Sequence, residues 1–184
     1  MIASHTGQLL VATPALLDPN FRRGVLLVLD HDTDGALAVV INRPSELPLE
    51  VVLPGWGAAV VEPPLLFVGG PVAADSALAV GLALGAGPDV GFKRLYGDYG
   101  LVDLDLPAES LLSDLVGVRV FSGYAGWGEG QLEAEISEGS WYVANAVPTD
   151  VLTPSPAGLW RDVLRRQPGE LAFAATFPDD PNMN

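Results

Sequence analysis

The chain contains no cysteine among its 184 residues, so disulfides, thiolate catalysis and cysteine-based zinc sites are all excluded. Histidine is nearly as scarce, with only His5 and His31 present. A catalytic zinc centre needs about three protein ligands and an open position. Neither a His-x-x-x-His nor a His-Glu-x-x-His spacing occurs, and no metal site or cofactor is expected. Basic residues are few: nine Lys and Arg face 23 Asp and Glu, for a net charge of −14. None of the nine forms a run longer than two. Duplex DNA is bound largely through clustered cations that displace counterions, so a direct DNA reader is disfavoured. Long apolar runs are missing as well. The stretch from Ala77 to Gly87 falls short of the roughly 18–20 residues a membrane helix requires and is broken by glycines. The first residues lack the basic region of a signal peptide. A cytoplasmic location with no membrane partner is the expectation.

What the chain does have is core material. Hydrophobic residues make up 49% of it, enough for one compact domain spanning 1–184. Gln8 to Ala12 reads as a buried strand, and Thr13 to Arg23 as a loop around two prolines. Gly24–Asp30 and Ala36–Asn42 are apolar runs joined by an Asp-Gly turn, which predicts a hairpin of covered strands. Pro44 ends the second, because proline restricts the residue before it and donates nothing to a ladder. Leu65–Val68, Phe92–Leu95, Tyr99–Leu104, Val118–Ser122 and Trp141–Ala144 are further strands. Ala77–Ala83 fits either a strand or a helix, and a strand is favoured. Helices are expected over Pro107–Leu115, Gly130–Ser137 and Ala157–Arg166. Leu171–Phe177 reads as a last strand and 179–184 as a polar tail. The result is a mixed α and β domain.

The motifs carry little chemistry. Asp30-x-Asp32-x-Asp34-Gly35 opens like a calcium-binding loop, but the twelfth position is Ile41 instead of glutamate and the flanks are strands. A hairpin turn accounts for it. Ser122 lacks a Gly-x-Ser-x-Gly elbow. The segment Phe121-Ser-Gly-Tyr-Ala-Gly-Trp-Gly-Glu-Gly130 alternates glycines with two large aromatics and reads as a glycine turn entering a helix. Free N–H groups at such a helix start suit a phosphate, yet Glu129, Glu133 and Glu135 crowd that end and repel one. Arg43 suits a bidentate bond to an external carboxylate or phosphate. In so acidic a chain it is expected to hold an internal aspartate instead.

Several segments occur together and in order: Gly7-Gln-Leu-Leu-Val-Ala-Thr-Pro14, Asp18-Pro-Asn-Phe21, Gly35-Ala-Leu-Ala-Val-Val-Ile-Asn-Arg-Pro44 and Val68-Gly-Gly-Pro-Val72. They continue with Gly123-Tyr-Ala-Gly-Trp127 and Gly130-Gln-Leu-Glu-x-Glu135. On these the chain resembles the YqgE/AlgH family almost end to end. Gly24 and Ala38 are small departures. The resemblance implies an α+β domain with a mostly antiparallel, bifurcated or barrel-like sheet surrounded by helices. It implies no established activity; one branch carries the name of a transcriptional regulator. It also selects a candidate binding surface of Asp18, Phe21, His31, Asn42, Arg43, Tyr124, Trp127, Gln131 and Glu133, although core or turn duty explains most of these equally well. No catalytic residue is assigned.

Three functional readings follow. The first is a non-catalytic protein acting through an unidentified protein partner or small ligand. The second is a hydrolase using Asp18, Glu133 and His31 as acid/base groups, which needs carboxylates whose environments separate their pKa values. The third is a regulator that touches DNA, against which the charge argues.

Overall fold

The computed structural model describes residues 3–180. Of the expected polar tail, residues 181–184 lie outside the described residues. Ten strands and four short helices make a mixed α+β domain, and all but one of the strand pairings are antiparallel.

The first three strands are β1 (Gln8–Ala12), β2 (Val25–Asp32) and β3 (Gly35–Val40). They are apolar on both faces because both faces are covered. Leu9 and Val11 enter one core while Leu10 and Ala12 enter another. This is why the runs show no period-two alternation. Asp32 closes the expected hairpin by accepting the Asp34 N–H at 2.8 Å. β3 stops at Val40, as the proline after Arg43 implied, but Pro44 then begins a strand that the sequence did not suggest. This is β4 (Pro44–Pro48), an edge strand paired only with β5 (Leu65–Val68). Prolines at its two ends fit an edge, where a ladder donor is dispensable. A single helical turn, α1 (Leu49–Val52), follows it.

β6 (Val72–Leu82), β7 (Phe92–Tyr96) and β8 (Tyr99–Val102) complete one wing of the sheet. At its centre lies β9 (Gly117–Gly128), twice as long as the sequence suggested. One edge of β9 carries β6. Its other edge is shared, with β5 parallel to Phe121 and Ser122 and β3 antiparallel to Ala125–Gly128. The sheet therefore forks along β9, in the order β10-β1-β2-β3-β9-β6-β8-β7 with β4–β5 branching off. β10 is Trp141–Asn145. The fork is crowded. A Cβ on Gly123 would sit 2.4 Å from the Gly70 carbonyl oxygen, and one on Gly70 would sit 2.2 Å from Tyr124 backbone atoms. Both residues also hold positive φ, 70° and 157°. Only glycine fits where strands diverge this closely. The ends of the sheet curl toward each other, so that the Tyr96 ring lies against Gly7, where a Cβ would fall 2.1 Å from it.

The helices differ from expectation in two places. Residues 107–115 form two 3-10 turns, Ala108–Ser110 and Leu112–Asp114, instead of one helix. Ser110 donates its hydroxyl to the Pro107 carbonyl, a local bond that competes with helix propagation. Leu171–Phe177 is not a strand. It opens with α4 (Leu171–Ala174), whose alanine-rich sequence favours a helix and which packs against α3 (Leu159–Arg165). α2 (Gln131–Ser137) agrees with the sequence. The main core lies between the sheet and α3–α4, built on Leu27, Val39, Phe67 and Phe121 against Trp160 and Val163. A second core lies beneath α2 and contains Val28, Ala125, Trp127, Leu132 and Trp141.

Candidate functional site

The candidate residues fall into two neighbouring groups. The first centres on His31. A bulge between Val28 and Asp30 sets the end of β2, and His31 there points inward with its side chain 1% exposed. Its Nδ1 accepts the His5 backbone N–H at 3.0 Å, so the other nitrogen carries the proton and donates to Glu133 Oε1 at 3.0 Å. The His5 ring stacks on it, 5.3 Å away and 10° from parallel, and His5 Nδ1 meets Gln8 Oε1 at 2.7 Å. Ser4 donates to the His31 carbonyl at 3.0 Å. The segment before β1 thus folds over the histidine and closes it from water. Glu133 lies in the first turn of α2. Its carboxyl is held below the usual range, chiefly by its own backbone N–H; burial opposes this, and the hydrogen bond and charge of His31 add smaller lowering effects.

Next along the helix, Glu135 joins both tryptophans. Its Oε2 accepts the indole N–H of Trp127 and of Trp141, each at 2.8 Å, and its Oε1 accepts from Gln131 at 3.0 Å. Gln131 in turn takes the Gly128 N–H at 3.1 Å. The two indoles meet edge to face at 6.0 Å, and Phe21 adds its edge to Trp141 at 5.6 Å. The carboxylate at 135 is therefore an indole clasp, not a free charge at the helix start.

The second group holds the loop before β2. Asn42 accepts the Val25 N–H and donates to the Arg23 carbonyl, both at 2.9 Å. Arg43 donates to the carbonyls of Pro19 at 2.6 Å and Arg22 at 2.5 Å. It grips backbone oxygens, not the aspartate that composition suggested. Burial lowers its pKa, and nearby Asp18 opposes that. Asp18 itself caps a turn by accepting the Asn20 N–H at 2.8 Å.

Phe21 and Trp127 share the second core, whereas Tyr124 packs against the main core on the opposite face of β9. Glycine and aromatic residues therefore alternate here because they line a strand. From Ser122 to Gly128 burial rises and falls residue by residue, the period-two signature of a half-covered strand. Of the three acid/base candidates, His31 and Glu133 touch, while Asp18 is engaged with the Asn20 N–H in its own turn.

Some central polar residues gave no sequence signal beyond an isolated charge. Arg119, in the apolar run of β9, is 1% exposed and donates to four backbone carbonyls: Glu62, Pro63, Val151 and Thr153. Its guanidinium also lies 4.2 Å from the Phe67 ring centre. Burial pulls its pKa down to about 10, leaving it cationic at neutral pH. Asp150, 2% exposed, pairs with both terminal nitrogens of Arg166 at 2.6 Å, which raises the pKa of that arginine. Among the described residues, no group of three or more His, Asp or Glu is placed to hold a metal ion. No helix among them is long and apolar enough to cross a membrane.

A forked, curled antiparallel sheet whose signature residues tie α2 and the 18–24 loop to its strands defines a class already seen in solved structures. A crystal structure of a Corynebacterium diphtheriae protein superposes with a TM-score of 0.88 at 33% identity, over 96% of this chain and 94% of that one. The solution structure of the AlgH protein from Pseudomonas aeruginosa gives 0.72 at 26% identity, over 98% and 97%. A UPF0301 protein of Streptomyces avermitilis is 54% identical over all of this chain and 97% of its own length. One from Mycobacterium tuberculosis is 45% identical over 98% of this chain and 91% of its own. The AlgH-like family model matches residues 9–172, and the chain belongs to that family.

Proposed function

We propose that this protein acts in the cytoplasm by binding rather than by catalysis, and regulates through a protein partner or a small ligand. One observation carries this reading: the polar groups gathered at the signature are already spent on one another. Both nitrogens of His31 are engaged, one by the His5 amide and one by Glu133. A general base needs a free lone pair within reach of its substrate, and here that lone pair holds the segment before β1 in place. Both oxygens of Glu135 are engaged as well. The motif that identifies the family reads as architecture that positions surfaces elsewhere.

The His31–Glu133 contact at 3.0 Å favours one second reading, a hydrolase in which this pair moves a proton. That reading requires His5 to withdraw first, and it leaves Asp18 out of the centre. The two readings separate in one experiment. Purified protein is incubated with a cell extract, and metabolites and retained species are followed by mass spectrometry. We expect unchanged metabolite pools, together with a protein or small molecule that stays bound through purification. Protein-dependent loss of any metabolite, abolished in a folded Glu133→Gln variant, overturns the binding reading.

A further inference from the structure

In a chain with net charge −14, four of the nine basic residues converge on one groove. Arg22 and Arg23 come from the loop before β2, Arg43 from the connection between β3 and β4, and Arg161 from α3. With Asn42 and Trp160 they line a cavity of about 210 Å³. Like charges do not gather by accident of composition here, because acids outnumber bases more than twofold. The single carboxylate in the lining is Asp179.

The groove is rigidly built. Arg43 and Asn42 hold the carbonyls of Arg22 and Arg23, fixing the backbone from which both side chains spring. Arg23 sits at φ 58°, left-handed for a residue with a Cβ. Such a conformation is costly and persists only where the surroundings enforce it. Its guanidinium carbon lies 4.0 Å from the centre of the Trp160 ring, and that indole is itself fixed by donating to the Ala12 carbonyl at 2.8 Å. Yet Arg23 Nη1 is buried and donates to nothing, the one such side-chain atom among the described residues. An unmade bond from a buried cationic donor is unfavourable in the unliganded protein and is recovered when an acceptor arrives.

The acceptors now facing these arginines come from the chain itself. Segment 175–179 runs across the groove. Arg161 donates to the Ala175 carbonyl and, at 2.8 Å, to Asp179 Oδ1. Arg22 donates to the Asp179 carbonyl at 2.6 Å, and Arg23 to those of Phe177 and Pro178. Neutral carbonyls and one exposed carboxylate are weak occupants for a set of planar forks suited to bidentate oxyanions.

We propose that this groove binds a small oxyanion, a phosphate- or carboxylate-bearing metabolite, and that the Asp179 carboxylate stands in for it until it arrives. The ligand's oxygens displace Asp179, take the free Nη1 of Arg23 and bridge to Arg161, releasing segment 175–179 from the groove. The site is separate from the His31–Glu133 pair and stands whether or not the protein turns anything over.

Calorimetric titration with inorganic phosphate and, separately, with succinate tests it, in chloride buffer at fixed ionic strength. We expect saturable one-to-one binding of at least one anion. Phosphate alone binding assigns a phosphoryl ligand, succinate alone a carboxylate, and both the shared oxyanion chemistry. Folded Arg161→Gln should weaken binding by about tenfold or more, the effect of one lost charge-assisted bond. Asp179→Asn should tighten it severalfold by removing the internal competitor. Absence of saturable binding of either anion up to about 10 mM, an affinity too weak to count as recognition, overturns the site. So does an Asp179→Asn protein with unchanged affinity. Should Arg161→Gln fail to fold, the indole N–H resonance of Trp160 in the wild-type protein decides: it must move on titration, and a stationary signal refutes the assignment.

Discussion

Replacing Glu135 tests whether the most distinctive segment of the chain is structural. Trp127 and Trp141 are only 7% and 3% exposed, so neither indole N–H has ready access to water if the carboxylate is removed. Each bond to a charged acceptor is worth about 1.5–3 kcal/mol, and an orphaned buried donor costs about 1–3 kcal/mol. Glu135 itself is partly exposed, which lets solvent recover a fraction of this. We therefore expect Glu135→Ala to destabilise the protein by about 2–4 kcal/mol, and Glu135→Gln, which keeps a neutral acceptor, by about 1 kcal/mol. Urea unfolding followed by far-ultraviolet circular dichroism is the appropriate assay, because the substitution alters the emission of the very indoles that fluorescence would report. A Trp141→Phe background supplies the control. With one indole donor gone, Glu135→Ala should cost about 1–2 kcal/mol less than in the wild type. A Glu135→Ala protein within about 0.5 kcal/mol of wild type would mean that the clasp contributes nothing and that the acid is kept for another purpose.

Arg119→Met preserves much of the side-chain volume but leaves four carbonyls without their donor; we expect a loss of about 3 kcal/mol, reduced from a larger figure because a buried cation is also removed. Arg119→Lys keeps the charge but not the fork, so it should recover only part of that, and equal midpoints for all three proteins in urea would refute the role. Glu133 gives a pH dependence. Its folded-state pKa lies below the ordinary value of 4.5, so its contribution is present above that value and is lost as pH falls beneath it. The urea midpoint of the wild type should therefore fall more steeply below pH 4.5 than that of Glu133→Gln, and parallel curves would show that the lowered Glu133 carboxyl is not coupled to folding.

Where local sequence and tertiary environment agree, the fold was legible. β1, the β2–β3 hairpin, α2 and α3 are apolar runs or stripes bounded by turn residues, and their positions matched within a residue or two. Disagreement arose where context reverses a local signal. Pro44 ends one strand and starts another because β4 lies on an edge. The glycines of β9 looked like a turn because their spacing is the same as that of a strand threading past two other backbones. Only the position of Gly69 and Gly70, about fifty residues earlier, distinguishes the two, and that contact is invisible along the chain. Leu171–Phe177 had strand-like hydrophobicity, but its alanines fit the helical packing on α3.

The candidate residues were found through resemblance, and the structure explains why resemblance points to them without pointing to chemistry. His31, Asn42, Arg43, Trp127 and Glu133 each join segments distant in sequence, so replacing one disturbs at least two elements. The arginine groove had the opposite character. Its members are scattered at 22, 23, 43 and 161, with no spacing that a one-dimensional reading detects, and the high acid content diverts attention from the few bases. In space the argument inverts: the rarer the cations, the more informative their convergence. The surplus of negative charge over the rest of the surface repels anions generally and makes this groove the favoured place for one to settle. Long-range field and local geometry thus select the same residues, and Arg23, with its enforced backbone and unspent donor, is where the two coincide.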